Sequence, residues 1–201
     1  MPDHYFSPDP VAPKSVRTIR VPIDGREREM VTATGVFSGD RLDVGTEVLL
    51  DAVPAPPERG DLLDLGCGWG PIAATLATRS PEASVWAVDV NARALSLVER
   101  NAELLSLSNI TPATPELVPA SVRFSTIWSN PPIRIGKQQL HELLETWIPR
   151  LAPGATAWLV VQKHLGADSL LRWLTERFAD FDVERADSKR TYRIIAVTAP
   201  D

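Results

Sequence analysis

Two short stretches, DLGCGWGP (64–71) and SNPPI (129–133), combine residue types and spacings that can do chemistry. In the first, Gly66, Gly68 and Gly70 follow an apolar run and lead into a helical pattern beginning at Pro71, where a missing N–H costs nothing. Glycines let the backbone turn sharply and come close to a ligand at the positive end of a helix. The spacing is Gly-x-Gly-x-Gly, not the Gly-x-Gly-x-x-Gly that serves a pyrophosphate. Asp64, just ahead of Gly66, would repel a pyrophosphate and welcome a cation. Asp89 ends the next apolar run, near the spacing at which an acid receives ribose hydroxyls. An acid for a cationic group, glycines for close approach and an acid for a ribose describe S-adenosylmethionine better than NAD. The alternative is a tight strand–helix turn with no ligand. Cys67 reads as a small packed residue and not a nucleophile, because no histidine with a nearby Asp or Asn stands ready to activate it.

In the second stretch, Pro131 and Pro132 fix two successive φ angles near about −65° and remove two N–H donors. They also push Asn130 out of the α region. A rigid amide then stands at the end of a strand, beside carbonyls with no competing N–H. An exocyclic amine on a conjugated ring is a poor nucleophile because its lone pair is delocalised. Acceptors for both amine hydrogens turn that lone pair toward an electrophile and stabilise the growing positive charge. The Asn130 side-chain oxygen and the Pro131 carbonyl suit this task, Pro132 helps keep them rigid, and preorganised positioning would supply most of the rate. Asn130 would border the cofactor as well as the substrate. The alternative is a stiff connector. Ile133 suits the flat face of a base, and Arg134 and Lys137 could meet phosphates. Phe6 or Tyr5 could cap a stacked base or merely anchor the N-terminal tail. His4, His141 and His164 lack metal-ligand spacing and read as structural or surface residues; no metal site is expected.

The elements that must position these residues follow from periodicity and turn chemistry. SVRTIRVPI and REREMVTAT flank Asp24-Gly25, a type I′ hairpin signal, and LDVGTEVLLDAV reads as a short helix. From residue 61 onward, strands and helices alternate. DLLDLG, ASVWAVDV, a short run at Ile110, RFSTIW and ATAWLVVQ read as strands. GPIAATLATRS, ARALSLVERNAELLSL, KQQLHELLETWIPRL and ADSLLRWLTERF read as helices. Leu95, Val98, Ala102 and Leu105 share one face of the second of these helices. DFDVERA and YRIIAVTA close the chain as a hairpin, so one strand runs antiparallel. The pattern predicts an α/β fold, a mostly parallel sheet with helices on both faces.

The chain has 201 residues, 44% hydrophobic and 23% charged, which suits one compact domain. No apolar run approaches the roughly 18–20 residues of a membrane span, the start does not resemble a signal peptide, and the cytoplasm is the expected location. The single cysteine excludes an intramolecular disulfide and a multi-cysteine zinc site. A net charge of −5 argues against a dedicated non-specific nucleic-acid binder, though not against a local basic face.

DLGCGWG with VDVN and SNPPI resembles class I S-adenosylmethionine-dependent methyltransferases. HYFS (4–7), GVFS (35–38), LDVGTEVLL (42–50), NPPI (130–133) and VVQKHLGADSL (160–170) narrow the resemblance to the ribosomal RNA guanine-N(2) methyltransferase family, small-subunit type, and its short single-domain members. It implies a Rossmann-like fold of seven strands, mostly parallel, with an antiparallel C-terminal hairpin strand. Residues 1–41 would form a tail and β-hairpin extension and residues 42–201 the methyltransferase domain, one compact unit overall. It further implies that Asp64 and the Gly66–Gly70 backbone, Cys67 included, surround the methionine part of S-adenosylmethionine. Asp89 would bind the ribose, and Thr46 and Phe37 would lie near the cofactor. Relatives carry an Asp near the adenine amine where this chain has Thr114, with Glu116 close by.

The expected activity is methylation of a guanine 2-amino group in ribosomal RNA, with the RNA or the ribosomal subunit as partner. A protein-glutamine or small-molecule N-methyltransferase is the second reading, although relatives acting on glutamine carry an aromatic where Ile133 stands. A non-catalytic RNA-binding relative is the third.

Overall fold

A computed structural model describes residues 15–201, with the Arg134 side chain outside the described residues. Phe6, Tyr5 and His4, and with them the expected stacking contact, also lie outside them.

Strands β1 (Val16–Ile23) and β2 (Arg26–Ala33) form a two-stranded hairpin. Asp24 and Gly25 both take positive φ, 48° and 72°, as a type I′ turn requires. Helix α1 (Val44–Ala52) follows, then β3 (Asp61–Leu65), α2 (Pro71–Arg79), β4 (Ser84–Val88), α3 (Ala92–Leu105) and β5 (Ile110–Ala113). The second half runs β6 (Phe124–Ser129), α4 (Lys137–Trp147), β7 (Leu151–Gln162), α5 (Ala167–Arg177), β8 (Asp182–Lys189) and β9 (Tyr192–Thr198). The large sheet has the order β5-β4-β3-β6-β7-β9-β8. β9 inserts antiparallel between β7 and β8, and the remaining pairings are parallel. This is the Rossmann-like seven-stranded fold expected.

Alternation along the strands sends neighbouring side chains to opposite faces. Leu62, Val160 and Ile194 pack with Val48 and Leu49 of α1 and Ile72 and Leu76 of α2. Their neighbours Leu63, Leu159 and Ile195 pack with Leu140 and Leu144 of α4 and Leu170 and Leu174 of α5. The edge strand β8 is exposed along most of its length, and its charged sequence DVERADSK discourages further pairing.

The hairpin forms a third core, in which Val21, Met30 and Val31 meet Trp69, Ala74, Ala94 and Leu97. This docking corrects the expected face of α3. Its buried residues are Ala94, Leu97, Val98 and Asn101, while Leu95, Ala102 and Leu105 are half-buried. Asn101 is polar and so drops out of an apolar count, yet it is the pin of the interface. Its Oδ1 accepts from Val31 N at 2.7 Å, and its Nδ2 donates to the carbonyls of Val31 and Trp69 at 2.9 and 2.8 Å. The hairpin is thereby fastened to the glycine loop. Among the described residues no helix is long and apolar enough to cross a membrane.

Candidate active site

The glycine loop leaves β3 and folds over the end of β4. Gly66 N and Cys67 N both donate to Val88 O, at 2.8 and 3.0 Å. Gly68 N donates to Asp89 Oδ2 at 2.9 Å, and Asp89 Oδ1 accepts from Asn91 N at 2.9 Å. Gly68 has φ 54°, and a Cβ built there would meet nothing within 4 Å. Conformation demands glycine at this turn, and the open side leaves room for a ligand. Burial raises the Asp89 pKa, opposed by the N–H groups of Asn91, Gly68 and Val90. Gly70, at the start of α2, instead packs close to Val98 of α3.

Asp64 departs from its expected place beside the ligand. Its side chain is fully buried, and Oδ2 accepts from Ala73 N at 2.9 Å, capping α2 in place of a Gly70 side chain. Burial, with a smaller push from Asp89, raises its pKa to about 8 despite the Ala73 hydrogen bond. An acid two residues from the turn was read as facing the ligand, but the strand pleat turns it under the helix. Cys67 is also buried, and burial, then Asp89 and Asp64, push its thiol pKa well up, which keeps it an unreactive thiol.

At the Asn130 end the structure supplies a partner that the motif does not contain. Asn130 Nδ2 donates to Asp43 Oδ1 at 2.7 Å and to Thr46 Oγ1 at 3.1 Å. The same Asp43 oxygen accepts from Gly45 N and Thr46 N at 2.8 and 3.2 Å, as the N-cap of α1. A carboxylate only accepts, so the amide nitrogen must face it and the amide oxygen must face away. Gly45 makes this approach possible, since a Cβ there would sit 2.9 Å from both Asp43 Oδ1 and the Tyr192 ring. The expectation of free carbonyls needs correction at Pro131, whose oxygen accepts from Ile133 N at 2.8 Å. Pro132, at φ −75° and ψ 72°, makes the inverse γ-turn that closes this bond. One lone pair of the Pro131 oxygen remains.

These ends meet in one cavity of about 360 Å³ at the carboxyl ends of the strands, whose walls include Phe37, Asp43, Gly68, Asp89, Asn130 and Ile133. Gly66, Pro131 and Pro132 also line it. Thr46 and Cys67 touch only a side hollow of about 20 Å³ that shares Gly66 and Asn130 with the cavity. Asp64 and Gly70 line neither, and Lys137 belongs to a separate, neighbouring cavity. Thr114 and Glu116 also lie outside the walls; the Glu116 amide and then the Thr114 hydroxyl hold the exposed Glu116 carboxyl below its usual range.

Sequence reasoning missed Asp43, Asn91, Gln162 and Tyr192 in the cavity wall. An Asp just before the first apolar turn of a helix is an N-cap signal, so Asp43 was findable as a cap though not as the holder of Asn130. Tyr192 has no local signal, because β9 reaches the site only through its insertion in the sheet.

A family model, the methyltransferase small domain, matches residues 27–196. The chain belongs to the methyltransferase small domain family. It is an S-adenosylmethionine-dependent methyltransferase. It is 33% identical to the uncharacterized protein YbxB of Bacillus subtilis (strain 168), over 97% of this chain and 98% of that one. Ribosomal RNA small subunit methyltransferase C of Hahella chejuensis is 38% identical over 68% of this chain, which spans only 41% of that protein. The structure of the T. thermophilus 16S rRNA N2 G1207 methyltransferase, RsmC, in complex with AdoMet and guanosine, superposes with a TM-score of 0.78 at 23% identity. That likeness shows the fold, over 94% of this methyltransferase and 52% of that chain.

The cavity fits the cofactor in three respects. Its volume lies in the usual range for small-molecule sites, Gly68 opens onto free space, and Asp89 keeps lone pairs beyond its backbone bonds. Asp64 does not take part in the fit. Among the described residues no group of three His, Cys, Asp or Glu side chains could hold a metal ion.

Proposed function

We propose that this methyltransferase acts on the exocyclic 2-amino group of a guanine in ribosomal RNA, in the cytoplasm. The observation that carries the reading is the clamped amide of Asn130. Its nitrogen is bound to Asp43 and Thr46, and its oxygen has no partner among the described residues. An oxygen held in that way is an acceptor waiting for a donor, and an amine supplies one. S-adenosylmethionine brings the methyl group and the electrophile. Asn130 Oδ1 and the remaining lone pair of Pro131 O accept the two amine hydrogens. The amine lone pair is then free to point at the methyl group, and the same two oxygens stabilise the positive charge that grows on nitrogen.

At the other end Asp89 takes the ribose hydroxyls of the cofactor, and the Gly66–Gly68 backbone and Phe37 wall it in. The described part of the extension, residues 15–41, works with residues 42–201 as one unit, because it contributes Val36, Phe37 and Ser38 to the cavity. The half-buried Ile133 offers an aliphatic wall for a base. The printed names of the Hahella relative and of the solved T. thermophilus enzyme, a ribosomal RNA methyltransferase and a 16S rRNA N2 G1207 methyltransferase, support RNA as the substrate.

Nucleoside mass spectrometry after methyl transfer to ribosomal RNA or subunits tests the proposal. Wild type should yield N(2)-methylguanosine. Asn130→Ala should lose turnover by about 10²–10³-fold, the usual effect of removing one preorganised catalytic hydrogen bond, with cofactor binding intact. Full activity in Asn130→Ala would reduce the Asn-Pro-Pro to a stiff turn. Methyl groups found only on protein glutamine would assign the substrate to the second reading.

A further inference from the structure

Beside the main cavity lies a second one, of about 150 Å³, that the catalytic reading does not use. Ile133 and Leu165 stand in the walls of both cavities, so the two adjoin across these side chains. The polar wall of the second is made by Lys137, His141, Gly166 and Ser169, and it contains no carboxylate. Its floor is apolar.

Several basic side chains on this acidic protein are matched by an acid. Arg17, Arg20, Arg79, Arg177, Arg185 and Lys189 each form an ion pair. Lys137 forms none among the described residues, and neither does Lys163, exposed on the turn just before Leu165. Asp168, a near acid on α5, is engaged with Arg185. His141 is held flat against Trp173, ring centroids 3.6 Å apart, which fixes where its nitrogens point. Helices α4 and α5 both begin at this cavity, each on a glycine and each without a side-chain cap. Glu145, which acts on His141 from the next turn of α4, is paired with Arg177, so the cavity is a donor-rich recess with one cation, Lys137, and no carboxylate in its walls.

We propose that it receives the backbone phosphate of the nucleotide whose base lies against Asn130. Lys137 supplies the charge, and His141 and Ser169 supply directed donors. A nucleotide's phosphate is only a few bonds from its base, so one nucleotide spans both cavities across Ile133 and Leu165. The subsite would favour a guanine within a chain over a free nucleoside. This assignment of place rests on the guanine reading, but the anion chemistry does not.

The test is an amide-resolved NMR titration of the full chain, saturated with S-adenosylhomocysteine. The probes are guanosine, its 3′- and 5′-monophosphates, uridine monophosphate and inorganic phosphate. Guanosine should shift Asn130 and Ile133 only. One guanosine monophosphate should also shift Gly166 and Ser169 and bind about tenfold more tightly, the scale of one charge-assisted hydrogen bond. Lys137→Gln, at an exposed position that leaves the fold alone, should reduce that advantage to about threefold or less. His141→Gln, which keeps a planar group over Trp173, should reduce it as well. Monophosphates that bind no better than guanosine, or an advantage that survives in Lys137→Gln, would overturn the proposal. So would inorganic phosphate binding there as tightly as the nucleotide. Shifts at Gly166 and Ser169 with both guanosine and uridine monophosphates, with none at Asn130 from any nucleoside, would sustain the phosphate site and refute the guanine reading.

Discussion

Asp64→Asn tests whether the buried acid of the glycine motif is a ligand or a structural group. Burial outweighs the Ala73 hydrogen bond and raises the folded-state pKa from an ordinary 3.8 to about 8. The folded chain therefore holds a proton on Asp64 where the unfolded chain has lost it. Stability from this group is complete below about pH 4 and is lost as pH rises through about 8. Between these limits one extra proton is bound on folding, which is about a tenfold fall in the folding constant per pH unit. Asn keeps an acceptor for Ala73 N and cannot ionise. Urea unfolding from pH 5 to pH 9 should show wild type losing stability relative to Asp64→Asn, with the variant level at the acid end and more stable at the alkaline end. Calorimetry should find S-adenosylmethionine affinity within about threefold of wild type, because Asp64 does not line the cavity. Parallel pH profiles would refute the neutral buried acid. A hundredfold loss of cofactor affinity in a well-folded variant would show that the charge of Asp64 faces the ligand after all.

Asp89→Asn should weaken S-adenosylmethionine binding about ten- to hundredfold, from about 1.5–3 kcal/mol of charge-assisted hydrogen bonding, and unchanged affinity by calorimetry would remove Asp89 from the ribose. Asn101→Ala orphans Val31 N–H, Val31 C=O and Trp69 C=O together, so chemical denaturation should report a loss of about 3 kcal/mol or more; a loss under about 1 kcal/mol would mean that the hairpin is not pinned there. Asp43→Ala should cost about 1 kcal/mol of stability through the lost cap, and Asp43→Ser should restore it, since Ser caps as well as Asp. Ser is too short to hold Asn130, so turnover should stay about tenfold low in both, and full activity in Asp43→Ser would refute the clamp.

The fold was legible because each local signal agreed with the next. Asp24-Gly25 set a hairpin, Pro71 opened a helix after glycines, and apolar runs of strand length alternated with amphipathic ones. The two ends of the cavity were legible for the same reason, since each is one short segment at the end of a strand. What the sequence did not disclose depends on which way a side chain turns once distant segments meet. Asp64 sits two residues from Gly66 on a pleated strand, and nothing in the motif says whether its carboxyl passes over or under the loop. Asn101 carries no local signal of its role, because its partners, Val31 and Trp69, are remote in sequence. Pro131 O was read as free because the prolines lack N–H groups, yet Ile133, just beyond them, brings one.

Charge segregation would reconcile an acidic chain with the proposed RNA substrate. The main cavity carries Asp43 and Asp89, and the adjoining one carries Lys137 and His141, with Ile133 and Leu165 between them. Asp43 is committed to Asn130 and to the α1 cap, so of the two Asp89 is the acid left for the proposed contact with the cofactor. Asp64 lies beneath the same loop and stays neutral up to about pH 8, which spares Asp89 a second negative charge at close range. On the proposed reading a cationic cofactor and an anionic strand would have separate destinations a short way apart. The net charge of −5 works against RNA binding at random. If the proposed substrate is right, the acidity takes part in substrate selection: an RNA would gain most where its phosphate reaches Lys137 and its base reaches Asn130 together.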